Sequence, residues 1–153
     1  MMFKEVNNES EMKAFGQSIG ALLKGGELIE LIGDVGSGKT TLTKGIAVGL
    51  GIKDNVQSPS FTINRSYEGR NHIILDHYDF YRLDKAGIMN NELQESIANS
   101  DVVTVIEWAG VVDEMLPIDR LSIQIASPTE TSRSLVLSSG GFISGQIIER
   151  LML

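Results

Sequence analysis

The chain has 153 residues, the length of one domain, and its 42% apolar and 22% charged residues match ordinary globular usage. It contains no cysteine, which excludes disulfide scaffolds, zinc fingers, iron–sulfur ligation and thiol catalysis. Acidic residues number 20 and basic ones 13, so the net charge of -7 repels phosphate backbones and argues against autonomous tight binding to DNA or RNA.

The first eleven residues carry Lys4, Glu5, Glu9 and Glu11 where a secretory leader needs an apolar run. No apolar stretch approaches the roughly 18 residues of a membrane helix, and the expected compartment is the cytoplasm, with no membrane partner. Asn8 followed by Glu11 reads as an N-cap with its capping partner. Met12, Phe15, Ile19, Leu22 and Leu23 then recur at helical spacing until Gly25-Gly26 stops the pattern. Residues 27–32 read as a short apolar strand and 40–50 as a helix ending at Gly51. Residues 52–60 form a loop. Residues 61–67 and 72–77 read as two strands joined around Glu68-Gly69-Arg70-Asn71, in hairpin fashion. A short helix is expected over 90–98 and a buried β-branched strand over 102–106. Two late strands, 121–126 and 134–137, flank the turn-rich Ser127-Pro128-Thr129-Glu130. Ile143, Ile147, Ile148 and Leu151 place one apolar face on a C-terminal helix of about 141–153. Phe15, Phe61 and Phe142 are assigned to the core.

Three prolines, no charge block and no repeat mark no boundary, so 1–153 is expected to be a single domain. The fold class is α/β: a three-layer mixed sheet, flanked by helices. Its parallel core joins the early strand to 102–106, and antiparallel pieces are added around it.

One motif carries the chemistry. Gly33-Asp34-Val35-Gly36-Ser37-Gly38-Lys39-Thr40 fits G-x-x-x-x-G-K-[ST]. Glycines let backbone N–H groups approach phosphate oxygens, and the following helix offers its N-terminal dipole. Lys39 is expected to reach the β- and γ-phosphates, and the Thr40 hydroxyl to ligate Mg²⁺. A chance match in a chain this long has odds of about one in two hundred. The motif also follows an apolar strand and precedes an amphipathic helix, which is its confirming context. Hydrolysis or transfer further needs a carboxylate at the metal. Asp76 ends the apolar run Ile73-Ile74-Leu75 and Asp79 lies three residues on. Glu107 follows the buried strand at its carboxyl end, where ligands of open α/β sheets gather.

Further motifs follow in order: Ser58-Pro59-Ser60-Phe61-Thr62, then His77-x-Asp79-x-Tyr81-Arg82-Leu83, Val105-Ile106-Glu107-Trp108, and Leu116-Pro117-x-Asp119-Arg120-Leu121. Together with Gly33 to Thr41, over about residues 5–137, this set resembles the TsaE (YjeE) family. Its members are the small ATPases of bacterial tRNA threonylcarbamoyladenosine synthesis. The resemblance implies a Mg²⁺-dependent ATPase, weak alone, that works with TsaB and TsaD. The TsaD partner would carry the chemistry on tRNA, and this chain would meet tRNA only through its partners. The implied cofactor is Mg²⁺ with ATP or ADP. Asp34, Val35, Gly36, Ser37, Gly38, Lys39, Thr40 and Thr41 would hold the nucleotide, with Thr62 from a switch-like loop. Asp79, displacing Asp76, and Glu107 would be catalytic or metal-linked beside Lys39, with Thr40, Asp79 and Glu107 at the metal. Two departures stand out: Ser60 replaces a common Thr, and Ala109-Gly110 replaces a common acidic–basic pair at a possible partner contact.

For His77, a switch role, a supporting role behind a residue that holds metal or phosphate, and a hydrogen-bonded structural role all stand, as do phosphate-charge stabilisation and an ion pair for Arg82. Tyr81 and the sole tryptophan, Trp108, read first as packing residues. A small-molecule kinase and a nucleotide-dependent regulatory switch are the competing functions. The guanine-reading Asn-Lys-x-Asp is absent, the single Asp-x-x-Gly (Asp84 to Gly87) does not end an apolar strand, and the six arginines show no lid-like cluster.

Overall fold

The structure is a computed structural model that describes residues 1–59, 62–81 and 90–153. Its elements run β1 (Met2–Val6), α1 (Glu9–Leu22), β2 (Leu28–Ile32), α2 (Lys39–Gly49), β3 (Asn64–Glu68), β4 (Ile74–Asp79), α3 (Asn90–Ala98), β5 (Val102–Glu107), β6 (Leu121–Ala126), β7 (Arg133–Ser139) and α4 (Phe142–Leu151), with 3₁₀ turns at Arg70–His72 and Ala109–Met115. Seven strands form one sheet in the order β1-β7-β6-β2-β5-β4-β3. The expected parallel pair β2–β5 sits at the centre, and β6 and β4 extend it in parallel on either side. β7, β1 and β3 add antiparallel edges.

Burial on both faces explains why β5 reads as a continuous apolar run: every residue from Val102 to Glu107 is buried. Strand alternation divides the side chains between two cores. Ile29, Leu31, Leu75, Val103 and Val105 join α1, α2 and part of α4 in the larger one. Leu28, Tyr78, Phe80 and Ile106 join Leu93 of α3 and the 3₁₀ turn after β5 in the smaller one. The outcome is three layers. No helix among the described residues is long and apolar enough to cross a membrane.

The capping expectation at α1 holds: Asn8 accepts a hydrogen bond from the Glu11 N–H at 2.8 Å. Helices α1 and α2 run side by side in the same direction, and Gly16 and Gly20 meet Gly45 and Gly49. A Cβ on Gly20 would lie 2.1 Å from the Ile46 carbonyl oxygen, so the two backbones touch. At the far end Arg70 donates to Gly20 and Leu23 carbonyls of α1 and to the Gly49 carbonyl of α2, satisfying orphan carbonyls of both helices. The N-termini of α1 and α2 therefore face the same end of the sheet.

Several expectations shift. β1 carries little apolar periodicity because it is an edge strand with Phe3 exposed, and it escapes the pattern. The hairpin expected over 61–77 is antiparallel, but its strands are Asn64–Glu68 and Ile74–Asp79, with a 3₁₀ turn between them. Phe61 lies outside the described residues. Phe142 is 76% exposed at the start of α4, so it is not a core residue, whereas Phe15 is.

Candidate functional site

The site lies at the carboxyl ends of β2, β4 and β5, where the first turn of α2 opens. Gly38 caps α2 at φ 104, a left-handed conformation that glycine adopts without a Cβ penalty. It sets the amino end of α2 against a cavity of about 730 Å³. Val35, Gly36, Gly38, Lys39, Thr40 and Thr41 line one wall of that cavity, and Asp79 and Glu107 line another. These two acids occupy paired register positions at the ends of β4 and β5. They belong together because residues 75, 77 and 79 of β4 point to the α2 face, as do 103, 105 and 107 of β5.

The same alternation removes Asp76 from the site. It points to the opposite face, where it accepts hydrogen bonds from Ser66 Oγ and, at 2.6 Å, from Ser96 Oγ. Ser96 also bonds the Tyr78 hydroxyl at 2.7 Å, so Asp76 anchors β3 and α3 to β4.

Lys39 is buried. Its Nζ donates to the carbonyl oxygens of Gly33 (2.7 Å) and Asp34 (2.9 Å) and lies 4.6 Å over the Trp108 ring. Burial pulls its ammonium below the ordinary lysine value, against the upward pull of Glu107, Asp79 and Asp34. Glu107 meets His77 Nε2 at 2.6 Å with both side chains buried. Asp79 accepts from the Tyr81 N–H at 2.9 Å and from Ser58 Oγ at 3.3 Å, and Ser58 reaches the cavity wall.

Two residues of the expected phosphate loop stand elsewhere. Asp34 and Ser37 line a groove behind the loop, with Asp34 exposed and the Ser37 hydroxyl buried. Thr62 is exposed and donates to the Asn64 carbonyl at 3.2 Å, away from the described cavity lining. Ser60, Phe61, Arg82, Leu83 and the Asp84 to Gly87 stretch lie outside the described residues.

The structure adds walls that no motif announced. Asn8, Glu9 and Met12 close the cavity from the amino end of α1, and Glu130, Thr131 and Arg133 from the β6–β7 turn. Arg133 donates from Nε to the Ser37 carbonyl (3.0 Å) and from Nη1 to the Glu130 carbonyl (3.0 Å), tying that turn to the phosphate loop. Such contacts go to backbone oxygens and leave no sequence pattern. Tyr81 and Trp108 are not plain packing residues. Tyr81 is 54% exposed, its ring centroid lies 4.8 Å from that of Trp108, and both line the cavity. Trp108 takes φ 58, a left-handed conformation uncommon outside glycine, directly after Glu107.

The oxygen donors of Thr40, Asp79 and Glu107 on facing walls suit Mg²⁺, which takes one or two carboxylates and completes its shell with phosphates and water. No cluster of three or more His, Cys, Asp or Glu that could cage a metal unaided occurs among the described residues.

A parallel strand that ends in a glycine-rich loop and feeds a helix, with acids at the ends of neighbouring strands, defines the P-loop class of α/β fold. The chain belongs to the TsaE family. The family model described as Threonylcarbamoyl adenosine biosynthesis protein TsaE matches residues 6–135. The chain is 36% identical over 135 residues to the tRNA threonylcarbamoyladenosine biosynthesis protein TsaE of Bacillus subtilis, covering 88% of this chain and 83% of that protein. It is 38% identical over 115 residues to the protein of the same name from Streptomyces coelicolor, covering 74% and 78%. The crystal structure of Bacillus subtilis YdiB superposes with a TM-score of 0.81 at 33% identity, covering 99% of this chain and 93% of that one. The resemblance drawn from the motifs over about 5–137 is thus the family of this chain.

Proposed function

We propose that this chain is a Mg²⁺-dependent ATPase subunit of tRNA threonylcarbamoyladenosine modification, slow alone and working with TsaB and TsaD. The observation that carries this reading is the meeting of Lys39 and Thr40 with Asp79 and Glu107 around one cavity. The phosphates lie against the amino end of α2, whose N–H groups and dipole favour anions. The base and ribose lie toward the amino end of α1 and the β6–β7 turn. Thr40 and the acids would hold Mg²⁺, which would supply charge neutralisation at the phosphate oxygens.

Lys39 exchanges its carbonyl partners for the β- and γ-phosphates, whose developing charge it stabilises. Glu107 orients the water that attacks in line. Asp79 steadies the metal wall and, through Ser58, senses the loop that follows α2. The net charge of -7 suits indirect contact with tRNA through partners. A lid-forming kinase gains no support here. Arg133 is the one described arginine lining the cavity, and backbone carbonyls already engage it.

The test is ATP turnover with Mg²⁺, by the chain alone and with TsaB and TsaD added, with Lys39→Ala as the blank. Strong stimulation by the partners is expected. Nucleotide binding with no turnover in either setting would remove the ATPase reading.

A further inference from the structure

His77 sits on β4 between Leu75 and Asp79, on the face that looks toward α2, and its side chain is fully buried. Among the described residues, its one side-chain hydrogen bond runs from Nε2 to Oε2 of Glu107 at 2.6 Å. Because an ionised carboxylate only accepts, Nε2 carries the proton. The other ring nitrogen, Nδ1, is buried without a partner among the described residues. Of its strand neighbours on that face, Leu75, Val103 and Val105 are apolar and fully buried, Asp79 and Glu107 are the cavity acids, and Arg65, its partner across β3, is exposed. An aliphatic side chain would fill such a site without stranding a nitrogen, so packing alone does not account for an imidazole there. What it adds is one directed bond to Glu107. His77 does not line the cavity, whereas Glu107 does.

Resting on the ATPase reading above, we infer that His77 is the positioning residue for Glu107. Its Nε2–H holds Oε2 against the strand, fixes the carboxylate rotamer and leaves Oε1 free for the attacking water. His77 itself touches neither nucleotide nor water. The arrangement has the logic of outer partners that orient ligating or reacting groups, where loss of the partner costs about 10–100-fold in activity.

The test uses the full chain with its partners. His77→Leu is expected to lower kcat about 10–100-fold. The affinity for ATP measured by calorimetry without Mg²⁺ should stay within about threefold. His77→Gln, whose amide N–H reaches the same carboxylate, should recover most of the loss, and His77→Asn, too short to reach it, should not. In a Glu107→Gln background His77→Leu should cost nothing more, because the two act as one unit. A merely structural histidine predicts other results. Its loss would lower the melting temperature, weaken binding together with turnover, and add to the effect of Glu107→Gln. By contrast, His77→Leu/Glu107→Met is expected to melt at or above wild type, since replacing both partners of a buried hydrogen bond by apolar groups of like size is often neutral or stabilising. Unchanged kcat in His77→Leu, additive losses, or no rescue by glutamine would overturn the inference. If His77→Leu does not fold, the pair His77→Gln and His77→Asn decides alone. If wild type turns over no ATP, the ATPase reading fails separately. His77 is then judged by the crystal structure of His77→Asn, in which a displaced Glu107 carboxylate supports the positioning role and an unmoved one refutes it.

Discussion

The two walls of the cavity are built in opposite ways. The phosphate-loop wall comes from one contiguous stretch, Val35 to Thr41, whose shape is local: a strand ends, glycine turns the chain, and a helix begins. The acidic wall comes from Asp79 and Glu107, 28 positions apart in sequence and adjacent only because β4 and β5 pair in parallel. A local wall survives changes elsewhere in the fold. A wall assembled by register depends on strand parity, and one step along β4 separates Asp79 or His77 at the site from Asp76 or Tyr78 in the opposite core. The difference teaches where mutations should damage chemistry and where they should damage only the frame.

The sharpest way to break that contrast is to exchange the roles of the two aspartates. Asp79→Asn is expected to lower ATP turnover about 100-fold, within the range for groups acting at the reacting phosphate, with little change in melting temperature. Asp76→Ala should do the reverse. It removes the acceptor that Ser66 and Ser96 share, costs about 1–3 kcal/mol in urea unfolding, and leaves turnover within about twofold. A catalytic loss in Asp76→Ala with stability intact would mean that the parity assignment is wrong.

A smaller effect probes how the frame positions both walls. By helix propensity alone Gly20→Ala would gain about 1 kcal/mol. The new Cβ would instead lie 2.1 Å from the Ile46 carbonyl oxygen, so α1 and α2 must part. We expect a net loss of about 1–3 kcal/mol and a raised KM for ATP, because the amino ends of both helices line the cavity. A stabilised variant with unchanged KM would show that the close helix contact is dispensable.

The smallest effect lies farthest from the site. Asp119 accepts from the N–H groups of Ile143 and Ser144 and from Ser144 Oγ at the start of α4. Burial raises its carboxyl, but these bonds together hold it below the ordinary aspartate value. Its stabilisation is therefore present above the unfolded pKa of about 3.9 and is lost as pH falls through the lower folded value. Asp119→Ala should cost about 1 kcal/mol at neutral pH, leave turnover unchanged, and differ less from wild type in acid melts below pH about 3. A difference that grew on acidification would contradict the cap.

The contrast between the walls also explains how much of the molecule was legible in its sequence. The phosphate loop, Glu107 and the central parallel pair follow from local pattern, since a motif or an apolar run names its own geometry. Asp79 comes from the ordered motifs of the family, because the apolar run Ile73-Ile74-Leu75 by itself points to Asp76, the residue that ends it. Strand parity puts Asp79 and not Asp76 on the cavity face, and parity is visible only once β4 is paired. The Gly16, Gly20, Gly45 and Gly49 contact has the right spacing in each helix, but nothing in one helix names the other. Arg133 and the β6–β7 turn reach the site through backbone carbonyls, which every residue carries. Ile143 follows the apolar periodicity of α4 and still stands 55% exposed, beside Phe142 at 76%, because periodicity does not locate the first turn of a terminal helix against the body.

The most direct test of the central claim is calorimetric titration of Mg·ATP into wild type and Lys39→Ala. The two hydrogen bonds that Lys39 now gives to Gly33 and Asp34 would be redirected to phosphate. Bonds to charged groups contribute about 1.5–3 kcal/mol, so Lys39→Ala should bind at least about tenfold more weakly and turn over no ATP. Equal affinity in the two proteins, or turnover retained without the lysine, would contradict the phosphate site itself.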